Sequence, residues 1–202
     1  MDIGTERKYL FDYDVSVIKK ELSKVTVEDW QFDKMRQEVF KDGHGDTESI
    51  ILFFAGGRRK VTTSPSFNKA VLDAGEQIRK YFGENARIIT LMVVKLFAKA
   101  QIPAHTDGGT LTTIHRCHLP IITHKDCEFY INEKKFPFTK GKVFEINNVM
   151  SHSVVNNSDY NFTGDQHARG DLRRAMIAAH ANHVGFKMKR HSTENRDASD
   201  GE

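Results

Sequence analysis

From residue 87 onward the chain runs as short stretches rich in β-branched and apolar residues: "RIITLMVVKLFAKA", "TLTTIHRCHLPIIT", "CEFYINEKKFPFTKGKVFEINN", "SHSVVNN" and "LRRAMIAAH". Gly, Asn and Pro punctuate them. Strand-length runs at this spacing are the pattern of a sandwich or barrel. In the first stretch Lys95 and Lys99 share one face, and Met92, Val94, Leu96 and Ala98 share the other. Before residue 87 the pattern is mixed. "DVSVIKKELSKVTVEDW" places Val15, Ile18, Leu22 and Val25 at helical spacing behind Asp14 as N-cap. "SIILFFAGG" reads as a buried strand. "SPSFNKAVLDAGEQIRKYFG" reads as an amphipathic helix capped by Ser64, with Pro65 in its first turn and Gly83 at its end. Its apolar positions Phe67, Val71, Ile78 and Phe82 fall mainly on one face, as expected of a helix packed outside a sheet.

These patterns predict a mainly β fold with flanking helices. One domain is expected over 1–186, with a helical and mixed part at 1–86 and a barrel core at 87–186. The polar stretch 187–202 reads as a flexible tail. A chain of 202 residues, 39% hydrophobic and 28% charged, has the length and balance of one soluble globular domain. No apolar run is long enough to span a membrane, and the N-terminus lacks a signal-peptide pattern. The net charge of +3 is small and the basic residues are scattered, so no nucleic-acid partner is expected. Cys117 and Cys127 lack paired spacing, which points to a reducing, cytoplasmic setting without disulfides.

Histidine is the unusual component: there are 10, most of them beyond residue 104. In "QIPAHTDGGT", His105 and Asp107 stand two apart, and positions i and i+2 of an extended segment share a face. An imidazole and a carboxylate on one face can share a metal ion. Pro103 sets the approach, and Gly108 and Gly109 let the chain turn away. His152 opens the strand "HSVVNN" and is the best third ligand. Two histidines and one carboxylate leave three octahedral positions open, which suits a non-haem Fe(II) centre. An isolated H-x-D triplet is more often a solvated polar pair; its company distinguishes this one. In "RCHLP", Arg116 and His118 share one strand face, and Cys117 lies on the other with His115. A cation facing a barrel interior calls for an anion. A second, zinc-like site around His115 and Cys117 lacks enough ligands to be favoured. "LRRAMIAAH" opens with two arginines, one of which could hold a carboxylate through paired hydrogen bonds beside the small Ala175, Ala178 and Ala179.

Taken in order, these segments resemble the aspartyl/asparaginyl β-hydroxylase family of Fe(II)/2-oxoglutarate-dependent dioxygenases. The resemblance covers about residues 87–180. It implies a double-stranded β-helix, a jelly-roll or cupin-like barrel with helices on one sheet. It implies His105, Asp107 and His152 as iron ligands, and Arg116 and His118 near the carboxylate of 2-oxoglutarate that lies by the metal. It also implies an arginine opening the last strand as partner of the distal carboxylate. That arginine stands six residues before the strand's terminal polar residue, so counting from His180 gives Arg174, with Arg173 and Arg169 as alternatives. Familiar animal members lack a carboxylate at the position of Asp107; its presence here completes the three-ligand set and disfavours a halogenase. The segment between His152 and Arg174 is longer than the family leads one to expect, so a substrate-selecting loop is expected over 153–172.

The activity so implied is hydroxylation of an unactivated carbon with Fe(II), 2-oxoglutarate and O2. An Asp or Asn β-carbon, in a peptide or a free amino acid, is the first expectation. His167 or Arg169 could meet an acidic substrate. Two other classes fit parts of the pattern. A cupin-type metal enzyme that does not use 2-oxoglutarate would need the triad but not Arg116, His118 and Arg174 together. A non-catalytic binding barrel would not need an intact triad. Oligomeric state is not legible.

Overall fold

The computed structural model of the protein describes residues 1–159 and 175–183. In chain order its elements are β1 (Arg7–Asp12), α1 (Ser16–Leu22), α2 (Val27–Gln31), α3 (Met35–Val39), α4 (Lys41–His44), β2 (Thr47–Phe54), β3 (Gly57–Arg58), α5 (Pro65–Tyr81), β4 (Ala86–Leu96) and β5 (Gln101–His105). A 3-10 helix (Gly109–Thr113) leads to β6 (His115–Ile122), β7 (Cys127–Ile131), β8 (Lys134–Phe136), β9 (Lys142–Ile146), β10 (His152–Asn156) and β11 (Ala175–His183). The strands form two antiparallel sheets: a 7-stranded sheet in the order β1-β9-β6-β11-β4-β2-β3, and a 4-stranded sheet in the order β5-β10-β7-β8.

Strand alternation sorts the side chains into two cores. In β4, Leu91 and Val93 face α1 and α5, while Met92, Val94 and Leu96 face the smaller sheet. The same split places Cys117, Leu119, Val143 and Ile177 under the helices and Phe144, Ile146, Met176 and Ala178 inside the barrel. Ile18, Leu22, Phe67, Val71 and Ile78 supply the helical side of the outer core. Phe129, Ile131, Ile102 and Val154 close the inner core from the smaller sheet. This is the jelly-roll architecture that the family resemblance implied, with α1 and α5 packed on the larger sheet.

Several local expectations hold. Ser64 Oγ accepts from Phe67 N at 3.2 Å, Pro65 sits in the first turn of α5, and Gly83, with φ 99°, follows its end. Phe67, Val71 and Ile78 are buried on the sheet. Others shift. Asp14 stands one residue too early to be an N-cap; Val15 holds that place, and the Asp14 carboxylate accepts from Ser16 N and Ser16 Oγ at 2.9 Å each. Ala98 and Lys99 fall beyond the end of β4, where Lys99 takes φ 59°. Lys95 is buried, paired with Glu48 and lying 4.7 Å over Trp30. "TLTT" begins as a 3-10 turn, because Gly109 adopts φ 58° and reverses the chain before β6 can start.

The first 86 residues also contribute to the sheet. β1 pairs with β9 and β2 with β4. The stretch 14–30 divides into α1 and α2, with Val25 between them, and the short helices α3 and α4 lie where no apolar period was evident. Arg173, Arg174, Arg169 and His167 lie outside the described residues, as do most of the 153–172 loop and the 187–202 tail.

Candidate metal centre

β5 and β10 are antiparallel neighbours, and their register sets His105 directly opposite His152. The two imidazole centroids are 4.3 Å apart. Each ring is oriented in the same way by its own strand. His105 Nδ1 lies 2.8 Å from the carbonyl of Pro103, and His152 Nδ1 lies 3.0 Å from the carbonyl of Met150. A carbonyl can only accept, so both Nδ1 atoms carry a proton, and in the neutral ring the lone pair lies at Nε2. Backbone carbonyls commonly orient metal-ligating histidines in this manner.

Asp107 lies just past the end of β5, so strand alternation alone does not place it. Its backbone N–H donates to Asn148 O at 3.0 Å, tying it to the turn between β9 and β10, and Asn148 Nδ2 donates to Leu111 O. The ligating atoms of His105, Asp107 and His152 all lie within 4.8 Å of one another. His152 Nε2 stands 4.0 Å from Asp107 Oδ1. Among the described residues this is the one trio of metal-ligating side chains that converges.

Arg116 reaches the same point from β6. Its Nη1 donates to Asp107 Oδ2 and stands 3.2 Å from His152 Nε2, while its Nε is buried without a partner among the described residues. Two lone pairs and a carboxylate thus converge where a cationic group already sits, and that donor set fits a divalent metal ion. The unpartnered Nε leaves Arg116 with a donor for an anion. His118 lies deeper on the same strand face, its ring 5.5 Å from Phe129 and 5.8 Å from Phe138. His115 and Cys117 face the helices instead. His115 pairs with Glu145 at 2.6 Å and stacks on Phe82 at 4.0 Å.

Burial first, and the neighbouring Arg116 second, push the His152 imidazole down to about 4. The ring is therefore neutral at pH 7, the form a metal needs. Because the folded value lies below the ordinary 6.5, the unfolded chain takes up the proton first. Stability is whole above pH 6.5 and falls with acidification until the folded value is reached. For metal-free protein, His152 alone should cost about 2 kcal/mol at pH 5 relative to pH 7. Urea denaturation at the two pH values, on wild type and His152→Gln, should show this dependence weakened in the variant.

The sequence reading missed Arg36 and His44. Arg36 is partly exposed and belongs to α3; its Nη1 donates to Thr47 Oγ1 at 2.9 Å, and its Nη2 lies 3.0 Å from His44 Nδ1. The His44 ring is 6.1 Å from that of His105. Burial, with Arg116 adding to it, lowers the Arg36 guanidinium to about 9. Burial and then Arg36 lower His44 to about 3. No motif links two residues on separate short helices, so nothing in the chain announced this pair.

A family model described as aspartyl/asparaginyl beta-hydroxylase matches residues 12–161. Among solved structures, the viral collagen prolyl hydroxylase of Paramecium Bursaria Chlorella virus-1, in its 2OG complex, is similar with a TM-score of 0.55 at 8% identity, covering 90% of this chain and 97% of that one. The non-heme alpha ketoglutarate dependent epimerase SnoN from nogalamycin biosynthesis is similar with a TM-score of 0.52 at 11% identity, covering 88% of this chain and 76% of that one. At these identities the likeness speaks for the fold. A search of curated proteins finds no match. Among the described residues no helix is long and apolar enough to cross a membrane.

Proposed function

The chain belongs to the aspartyl/asparaginyl β-hydroxylase family, a family of Fe(II)/2-oxoglutarate-dependent oxygenases, and we propose that it hydroxylates an aspartyl or asparaginyl β-carbon at the His105–Asp107–His152 centre. The observation that carries this reading is the convergence of two Nε2 lone pairs and one carboxylate beside a guanidinium that keeps a buried donor. His105, Asp107 and His152 hold the metal on one side and leave its other positions open. Bound there, Fe(II) with 2-oxoglutarate and O2 would supply the oxidising power to turn C–H into C–OH, with succinate and CO2 as co-products.

The remaining tasks belong to the chain. The carbonyls of Pro103 and Met150 keep the Nδ1 protons in place, so each imidazole presents its lone pair without reorganisation. Asp107 offsets one positive charge of the ion, and its backbone bond to Asn148 holds the loop in register. Arg116 turns its spare donor toward the co-substrate carboxylate nearest the metal, with His118 further along the same strand face. Arg174 takes the distal carboxylate. The inner core of Phe129, Phe144 and Met92 keeps water from the interior. A cupin-type enzyme that does not use 2-oxoglutarate would not need this spare cationic donor beside the ligands.

Mass spectrometry tests the reading. Free aspartate and asparagine, and short peptides containing them, are incubated with the protein, Fe(II), 2-oxoglutarate and O2. A product heavier by about 16 Da with matching succinate is expected. Product formed equally well without 2-oxoglutarate would assign the barrel to other metal chemistry.

A further inference from the structure

Arg36 is a part-buried cation with no task in the scheme above. A guanidinium can only donate, so its two hydrogen-bond partners, Thr47 Oγ1 and His44 Nδ1, both act as acceptors and bring it no negative charge. Three carboxylates of the neighbouring elements have cations of their own: Asp107 pairs with Arg116, Asp33 with Arg59, and Glu48 with Lys95. Among the described residues no carboxylate pairs with Arg36. A part-buried cation held in a fixed orientation without an opposite charge is disposed to receive an anion.

Its position explains what it could serve. Thr47 and Ser49 open β2, and α3 reaches both: Arg36 bonds to Thr47, and Gln37 Nε2 to Thr47 O at 3.0 Å and Ser49 Oγ at 3.3 Å. The next element, α4, carries His44 to within 6.1 Å of the His105 ring. Arg36 thus stands one side chain away from a proposed iron ligand. It comes from the helical segment, while Arg116 comes from the barrel wall. Arg116 disfavours the charge on Arg36, and an anion beside Arg36 relieves that. His44 accepts from Arg36 at Nδ1, which orients the guanidinium fork.

We propose that Arg36, oriented by His44 and Thr47, is a specificity-determining residue that receives a carboxylate of the primary substrate at the mouth of the site. The inference rests on the oxygenase reading and deepens it: it selects an acidic substrate, aspartyl over asparaginyl. The carboxylate belongs to the substrate rather than to 2-oxoglutarate because Arg116 and His118 already line the co-substrate side along β6. Arg36 approaches from a different element, past His105.

The test is a set of equilibrium titrations on the full chain loaded with zinc in place of iron. The probes are L-aspartate against L-asparagine, and an N-acetyl-aspartyl dipeptide against its asparaginyl counterpart. Wild type should bind at least one acidic member about tenfold or more tightly than its amide, as expected for a charge-assisted pair. In Arg36→Gln that ratio should fall to near one, with 2-oxoglutarate affinity and melting temperature unchanged. Arg36→Lys keeps the charge but loses the fork, so its ratio should drop severalfold; it carries the test if Arg36→Gln does not fold. The proposal is overturned if wild type shows no preference for either acid, if the preference survives in Arg36→Gln, or if the variant weakens 2-oxoglutarate equally. A wild-type protein that fails to bind 2-oxoglutarate overturns the oxygenase reading instead, and a separate titration reports it.

Discussion

His152→Ala is expected to abolish 2-oxoglutarate turnover and stable metal binding together. His152 is the one proposed ligand from β10, and its removal leaves His105 and Asp107, both from the β5 end of the site. Two ligands do not hold a divalent ion against water. Loss of a hydrogen bond supporting a ligand costs roughly 10- to 100-fold in affinity or activity, so loss of the ligand should exceed that range. The effect should be chemical rather than structural. His152 lies at the first position of its strand, and the inner core rests on Phe129, Ile131 and Val154. His105→Ala should behave alike, because its Nε2 is presented by the same carbonyl arrangement from the paired strand. Metal content by elemental analysis and succinate release, with circular dichroism as the fold control, decide the matter. A folded His152→Ala protein that retains iron and turnover would remove this residue from the site and the triad with it.

Arg174→Ala should raise the dissociation constant for 2-oxoglutarate by about 30-fold or more. Truncating one partner of a buried, hydrogen-bonded charge pair costs roughly 2–5 kcal/mol, because the other charge is left without its partner. Arg173→Ala should leave the constant near its wild-type value, since the proposed carboxylate partner is Arg174. The metal ligands are untouched, so metal content should stay at the wild-type level. This separates the variant from His152→Ala. Calorimetric titration of 2-oxoglutarate into zinc-loaded protein reads the effect without catalysis. A reversed pattern, with Arg173→Ala weak and Arg174→Ala normal, would shift the proposed register by one residue. Normal binding by both would pass the role to Arg169.

What was legible from sequence shares one physical character: it is set by neighbours along the chain. The N-cap at Ser64 and Pro65 is a contact between residues three apart. Alternation sorts β4 and β6 into an outer and an inner face, because consecutive side chains of a strand must diverge. His105 with Asp107, and the strand opened by His152, could be singled out because each lies in a short segment with its own turn residues. The start of β6 was read too early, because a run of β-favouring residues gave no sign that Gly109 would reverse the chain. The expected N-cap at Asp14 missed by one residue, an ordinary ambiguity at a helix end.

The rest depended on contacts between distant residues. The His105–His152 register joins strands more than forty positions apart. Only closure of the smaller sheet makes their rings neighbours. Strand alternation put Arg116 on the interior face, but its bond to Asp107 required β6 and the β9–β10 turn to meet. β1 and β2 joined the barrel sheet because β9 and β4 offered edges to pair with, not because their own residues differ from those of other short strands. Arg36 and His44 carry no periodicity and no motif. They reach the proposed metal site because Thr47 and Ser49 present hydrogen-bonding groups to α3. The sequence by itself therefore determined the strand pattern, the caps and the identity of the candidate ligands. Only tertiary structure decided which charges stand against them, because a buried charge is governed by whatever the folded chain places within a few ångströms of it.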